Sequence, residues 1–199
     1  MLAVAANAPY KSVASFVEFA RKNRSTTLSY GSAGIGIANH LCGEWFNPVA
    51  GLDLNHVPYR GDAAAVVDLL SGTLQICFIT PTVGMPLVAA GKLQPFAVTS
   101  PTRQEFLPQV PTMQEAGYPG FVLELFNGLV GPVGTPAEIV ARLNREVNEI
   151  AGEPAVVARL ADMGSCPMTM SSTGFSDFLH QQTAHWRSVI QQAHIPLLD

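Results

Sequence analysis

Leu28-Ser29-Tyr30-Gly31-Ser32-Ala33-Gly34-Ile35-Gly36-Ile37-Ala38-Asn39-His40-Leu41 reads as the end of a β-strand, a tight Gly/Ser loop and the first turns of a helix. A loop of this kind presents backbone N–H groups without partners, and a hydroxyl, at the positive end of a helix dipole. That arrangement suits an anion, most simply a carboxylate or phosphate. Glycines let a ligand approach a backbone that lacks Cβ atoms. Taken alone, the stretch equally fits an ordinary strand-to-helix turn with Ser32 as N-cap.

The pattern continues on both sides. Leu2 to Ala6 reads as a short strand, broken by Asn7-Ala8-Pro9-Tyr10. Ser12 is a good N-cap for a helix over Val13–Lys22, with Val13, Phe16, Val17 and Ala20 on one face. The strand that feeds the Gly/Ser loop starts near Thr26, and the helix after the loop should run from Ile35 to Asn47 and stop at Pro48. Leu54–Tyr59 is the next strand, Arg60-Gly61 a turn, and Asp62 a cap for a helix over Ala63–Leu70. Leu74–Ile79 reads as a buried strand, Thr80-Pro81-Thr82 opens a helix ended by Gly91, and Leu93–Thr99 is a strand whose Pro95 predicts an edge or entry position. A Pro-rich loop and a short helix over Thr112–Ala116 follow, then an extended run from Phe121 to Val130.

Gly131-Pro132-Val133-Gly134-Thr135-Pro136 punctuates the chain, and the character changes beyond it. Thr135 can cap and Pro136 fits the first position of a helix to Ile150. Two more helices are expected, from Pro154 to about Gly164 and over Ser176–Ala193, with a short strand around Met168-Thr169. Alternating strands and helices over residues 8–128 predict an α/β lobe with a mainly parallel sheet covered on both faces. The helical segment 136–199 is rich in apolar residues, which fits a three-helix bundle or, the favoured reading, the outer cover of a second sheet whose strands lie elsewhere.

Composition excludes several classes. The 199 residues carry a net charge of −4, with scattered basic residues, so no nucleic-acid surface is indicated. No apolar run is long enough to span a bilayer, and the N-terminal Met1–Ala6 lacks the charged region of a signal peptide. Cys42, Cys77 and Cys166 form no metal-type pair, and Cys42 and Cys77 read as buried thiols. The loop at Gly31 is no P-loop, because no Gly-Lys-Ser/Thr follows; nor is it GxGxxG, because Asn39 stands where a third glycine is needed. Tyr30 takes the place of the first glycine of a GxSxG elbow. His40, His56, His180, His185 and His194 show no ligand spacing beyond the weak His180/His185 pair, so neither metal nor cofactor is expected.

Two loops at the carboxyl ends of expected strands stand together as a candidate site: Gly31-Ser32-Ala33-Gly34 with Gly36, and Tyr59-Arg60-Gly61-Asp62. Thr80 follows the next strand and offers a hydroxyl, and Arg60 offers a bidentate partner for a carboxylate. An enzyme using Ser32 or a cysteine as nucleophile has no base positioned in sequence.

The string of motifs resembles the Bug-type receptors of bacterial tripartite tricarboxylate transporters. It comprises Tyr30-Gly31-Ser32-x-Gly34-x-Gly36 with His40-Leu41, then Val57-Pro58-Tyr59-Arg60-Gly61, then Ala89-Ala90-Gly91-Lys92-Leu93 with Ala97-Val98-Thr99-Ser100. Leu107-Pro108-x-Val110-Pro111-Thr112-x-x-Glu115-Ala116-Gly117, Gly128-Leu129, Pro132-x-Gly134-Thr135-Pro136 and Leu143-Asn144 complete it. The resemblance implies a type II periplasmic-binding-protein-like fold, a small carboxylate ligand, membrane components of a tripartite transporter as partners, and a periplasmic location. It implies hinge strands in residues 1–7 and 129–135, the ligand lobe over 8–128, and a helical return of an incomplete first lobe over 136–199. It also brings Phe126 and Asn127 near the ligand, where family members often have two aromatics before the glycine. Such receptors have roughly a hundred further residues ahead of the first hinge, so the helical segment is expected to expose an apolar face and self-associate. A ligand-free oligomerising remnant and, further off, a Ser/Cys-dependent hydrolase are the alternatives.

Overall fold

The computed structural model describes residues 1–193 and Ile195; His194 and residues 196–199, the end of the expected helical segment, lie outside the described residues. The chain divides into two compact units, Met1–Glu124 with the described residues from Val189 on, and Leu125–Ser188. The first unit carries a five-stranded sheet, β1 (Leu2–Ala5), β2 (Ser29–Ser32), β3 (Asn55–Pro58), β4 (Ile76–Phe78) and β5 (Leu93–Ala97), in the order β3-β2-β4-β1-β5. Helices α1 (Val13–Lys22), α2 (Ala38–Ala50), α3 (Asp62–Ser71) and α4 (Pro81–Ala89) connect them.

β2 is parallel to both β3 and β4, whereas β1 is antiparallel to β4 and β5. Four strands therefore run one way and one is reversed. Residues 1–7, the expected first hinge, hold β1, an inner strand buried on both faces, which suits its Leu-Ala-Val-Ala sequence. β5 lies at an edge and tolerates Pro95, as predicted. Tyr30, Phe16, Phe46, Phe78, Phe121, Leu69 and Ile76 are among the largest fully buried side chains. Phe121 stacks on Trp45 of α2 at 4.3 Å between ring centroids, within the first unit.

Several local expectations change. Ser32 is not an N-cap: it ends β2, and Ile37 takes the cap position of α2 without a side-chain bond. The reason lies in the loop, where Gly34 and Gly36 have φ of 151° and 79° and delay the helix past them. Pro48 does not stop α2; it sits in the last turn, and Gly51 closes the helix in the left-handed conformation. Asp62 is the first helical residue of α3 rather than its cap, because Gly61, at φ 101°, turns the chain. Thr112–Ala116 makes a single turn, with Ala116 N–H donating to Thr112 O at 3.0 Å.

The second unit holds α5 (Ala137–Ala151), α6 (Pro154–Asp162) and most of α7 (Ser172–Gln192). Pro136, not Thr135, is the N-cap of α5, since the Thr135 hydroxyl donates to Pro132 O at 2.8 Å. Residues 129–135 and Met168-Thr169 form no strand, because no strand among the described residues pairs with them; Leu129, Val130 and Val133 are exposed instead. Ile139, Leu143, Val147 and Ile150 recur along one face of α5 and remain 45–52% exposed, which leaves an apolar stripe on this unit. Asn144 and Asn148 tie α5 to Met170 O at 3.0 and 2.8 Å. None of the helices among the described residues is long and apolar enough to cross a membrane.

Candidate functional site

Parallel pairing of β2 with β3 and β4 places the carboxyl ends of all three at one edge of the sheet. The loops that leave them, at Ala33–Ile37, Tyr59–Gly61 and Ile79–Thr80, are joined by backbone and side-chain hydrogen bonds. Tyr59 N–H donates to Ser32 O at 2.9 Å and Gly61 N–H to Ala33 O at 3.1 Å, zipping the first two loops together. Asp62 joins all three. Its Oδ1 accepts from Asn39 Nδ2 of α2 at 2.6 Å, and its Oδ2 accepts from Thr80 N–H at 2.9 Å and Thr80 Oγ1 at 2.7 Å. Asp62 is buried, so these bonds replace the water its carboxylate gave up.

Within the first loop, Ser32 Oγ accepts Gly34 N–H at 3.3 Å and donates to Gly34 O at 3.0 Å. The N–H groups of Ala33, Ile35 and Arg60 make no hydrogen bond among the described residues. The first-turn N–H groups of α3 lie beside them with no intrahelical acceptor. Arg60 itself is exposed and forms no ion pair among the described residues. This sheet edge thus carries backbone donors without a protein acceptor among the described residues and the exposed Arg60 cation, while the Asp62 carboxylate is committed to Asn39 and Thr80.

The predicted residues thus fall into three groups. Gly31, Ser32, Ala33, Gly34, Gly36, Tyr59, Arg60, Gly61, Asp62 and Thr80 gather at this sheet edge. Of these, Gly31 faces inward, where an added Cβ would sit 2.5 Å from Leu74 Cδ1 and 2.9 Å from Cys77 Sγ. Tyr59 Oη donates to Asp68 Oδ2 at 2.6 Å, and the Asp62 and Thr80 polar groups bind each other, so these three order the loops. Phe126 and Asn127 lie in the second unit, where the Phe126 ring packs edge-on against Phe178 at 4.8 Å.

Sequence spacing missed a second polar cluster directly behind the loop. Gly36 N–H donates to His40 Nδ1 at 3.1 Å. His56 Nε2 lies 2.7 Å from Ser32 Oγ, and the two imidazoles pack with tilted planes, 4.2 Å between centroids. Tyr30 stacks on His56 from the other side at 4.9 Å and donates its hydroxyl to Glu44 Oε1 at 2.6 Å. Burial holds the His40 imidazole below the usual histidine range, against the opposing pull of Glu44. Burial, then the neighbouring His40, brings His56 down to about 4. Burial and the bond to Glu44 push the Tyr30 phenol well up. The signal was present in the strand register: Tyr30 and His56 are opposite one another in the β2–β3 pair, and His40 and Glu44 are one helical turn apart.

The cluster supports two chemistries poorly. One imidazole nitrogen from each of His40 and His56 and a Glu44 oxygen lie within 4.8 Å of one another, close enough for a metal ion. A cation there would compete with Gly36 for His40, with Ser32 for His56 and with Tyr30 for Glu44. The Ser32–His56 contact has the distance of a nucleophile–base pair, yet Ser32 is 1% exposed and an imidazole that resists protonation down to about 4 is a weak base. Cys42 and Cys77 are buried thiols pushed up to about 12, far from the range of reactive cysteines.

Comparison with known proteins agrees with this reading of the fold. The family model for the tripartite tricarboxylate transporter family receptor matches residues 1–195. The protein BugT of Bordetella pertussis is 31% identical over 171 residues, covering 86% of this chain and 52% of BugT. The solved structure of R. palustris Rpa4515 with adipate superposes with a TM-score of 0.91 at 32% identity, covering 100% of this chain and 66% of that one. MatC (Rpa3494) from Rhodopseudomonas palustris, with bound malate, gives 0.82 at 26% identity, covering 96% of this chain and 65% of that one. The chain therefore spans about half the length of the curated relative and about two thirds of each solved chain.

Proposed function

Since the chain belongs to the tripartite tricarboxylate transporter receptor family, we propose that it is the carboxylate-gripping part of a periplasmic solute receptor rather than an enzyme. The observation that carries this reading is the gathering of three loops at one sheet edge, with the N–H groups of Ala33, Ile35 and Arg60 unpaired among the described residues and the Arg60 side chain exposed. Donors fixed in advance bind a carboxylate without the cost of ordering them on capture. Arg60 adds the planar fork that matches two carboxylate oxygens. The adipate and malate held by the two solved relatives are both dicarboxylates, which makes that class the first choice of ligand. Tyr59, Asp62 and Thr80 order the loops in this scheme, while Gly34, Gly36 and Gly61 let the ligand approach the backbone. Membrane components of a tripartite transporter are the partners to which a loaded receptor presents its solute.

Amide NMR on this chain tests the proposal, because it registers weak binding. Adding malate or adipate should shift the Ala33, Ile35 and Arg60 amides saturably, and Arg60→Ala should weaken that response about tenfold, the loss of one charge-assisted pair. Amides that stay still at high dicarboxylate concentration would overturn it.

A further inference from the structure

His40 stands outside the row of loop donors, and nothing in the carboxylate-binding scheme requires a histidine there. Yet its Nδ1 accepts the Gly36 N–H at 3.1 Å, and Gly36 is the residue whose positive φ turns the loop toward α2. A nitrogen that accepts carries a lone pair, so the ring proton resides on Nε2, which faces Glu44 Oε1 at 3.9 Å. We propose that His40 is a positioning residue for the ligand loop: its neutral imidazole fixes Gly36 and the unpaired Ile35 N–H before it, and protonation of the His40–His56 pair releases that segment and loosens the grip on a carboxylate. The proposal rests on the reading of the loop as a carboxylate cradle.

Glu44 of α2 favours a charged His40, but its Oε1 is already engaged by the Tyr30 hydroxyl of β2. His56 of β3, its ring tilted against His40 at 4.2 Å between centroids, opposes it, since two imidazolium rings at that spacing repel. Tyr30, on the far side of His56, stays neutral. Ser32 Oγ adapts to His56 by turning its single proton. When His40 does take a second proton, Nδ1 becomes a donor facing the Gly36 donor, and the bond that holds the loop turns repulsive. Burial depresses both rings, so release belongs to mildly acidic conditions, below the ordinary histidine value of 6.5.

Two measurements, one without ligand, decide this. In the free protein, imidazole nitrogen shifts should show His40 protonated on Nε2 alone near neutral pH, and the Gly36 amide should titrate together with His40. Dicarboxylate binding, followed with malate from about pH 8 to pH 4.5, should weaken along the same curve. His40→Phe removes the acceptor and should cost about tenfold in malate affinity at neutral pH. His40→Asn places an amide oxygen near the Nδ1 position, and should keep affinity while abolishing the acid-side loss. A His40 that titrates at the ordinary value with an unmoved Gly36 amide overturns the proposal, as does a folded His40→Phe variant that binds like the parent. If malate fails to bind the parent chain at all, the carboxylate reading fails, while the ligand-free titration still decides whether His40 holds the loop.

Discussion

Asp62 Oδ2 accepts two hydrogen bonds from one residue, the N–H of Thr80 at 2.9 Å and its hydroxyl at 2.7 Å, across the ends of β3 and β4. Oδ1 of the same carboxylate takes Asn39 Nδ2 at 2.6 Å, so the first residue of α3 holds three loop ends in register. Asp62→Asn keeps the shape but turns one acceptor into a donor facing donors. It should cost about 1–3 kcal/mol, read as a lower midpoint in urea, whereas Thr80→Val, which removes only the hydroxyl bond, should cost about 1 kcal/mol. An Asp62→Asn variant as stable as the parent would show that the carboxylate is not the tie.

Gly43 sets how closely α2 approaches β2. A Cβ at this position would overlap the Tyr30 ring, which is fully buried. Helix propensity alone favours Gly43→Ala by about 1 kcal/mol, whereas overpacking against a fixed aromatic costs about 1–3 kcal/mol. The net sign discriminates between them, and thermal unfolding of Gly43→Ala should show a lower Tm. Because Tyr30 also supports His56 and Glu44, the same variant should disturb the amides of the Gly34–Gly36 segment.

The His40 and His56 imidazoles are both harder to protonate in the fold than in an unfolded chain. The unfolded state therefore binds more protons as pH falls below 6.5, and stability must drop from there until His56 itself protonates at about 4. Above 6.5 both states are neutral at these rings and the contribution is flat. Urea midpoints for the parent should fall across that window more steeply than for a His40→Asn/His56→Asn double variant; parallel curves would remove the two histidines as the cause.

The apolar face of α5 predicts association. Ile139, Leu143, Val147 and Ile150 leave a stripe of the kind that isolated soluble chains rarely keep uncovered. Light scattering should report a mass above the 21.2 kDa of one chain at micromolar concentration, and Leu143→Lys with Val147→Lys should return it to that value. A clean monomer in the parent would show that the stripe stays in water.

Much of this molecule was readable in advance because its signals are local. Ser12 before an amphipathic run places α1 where it is found, with the Ser12–Ser15 capping box in place. Pro95 marks an edge or entry position because a missing N–H is tolerated there, and β5 is an edge strand of the sheet. The Gly/Ser loop and the Tyr59–Asp62 turn were identified as neighbours from the carboxyl-end rule for parallel strands, and the pairing of β2 with β3 places them so. Boundaries slipped where two local preferences competed, as at Ser32, a good cap residue held in β2 by the glycines after it.

What the residues by themselves determined is the alternation of strand and helix, the loop chemistry at Gly31–Gly36 and Tyr59–Gly61, and the apolar character of the helices beyond Pro136. Only the tertiary structure decided that β1 enters the sheet reversed between β4 and β5, that the Asp62 carboxylate is taken up by Asn39 and Thr80, and that His40 and His56 pack together behind the loop. The physical reason is one of range. Caps, turns and periodicity act within a few residues and leave their mark in the local string, whereas a buried carboxylate or imidazole is satisfied by whatever distant strand or helix the packing brings within about 3 Å.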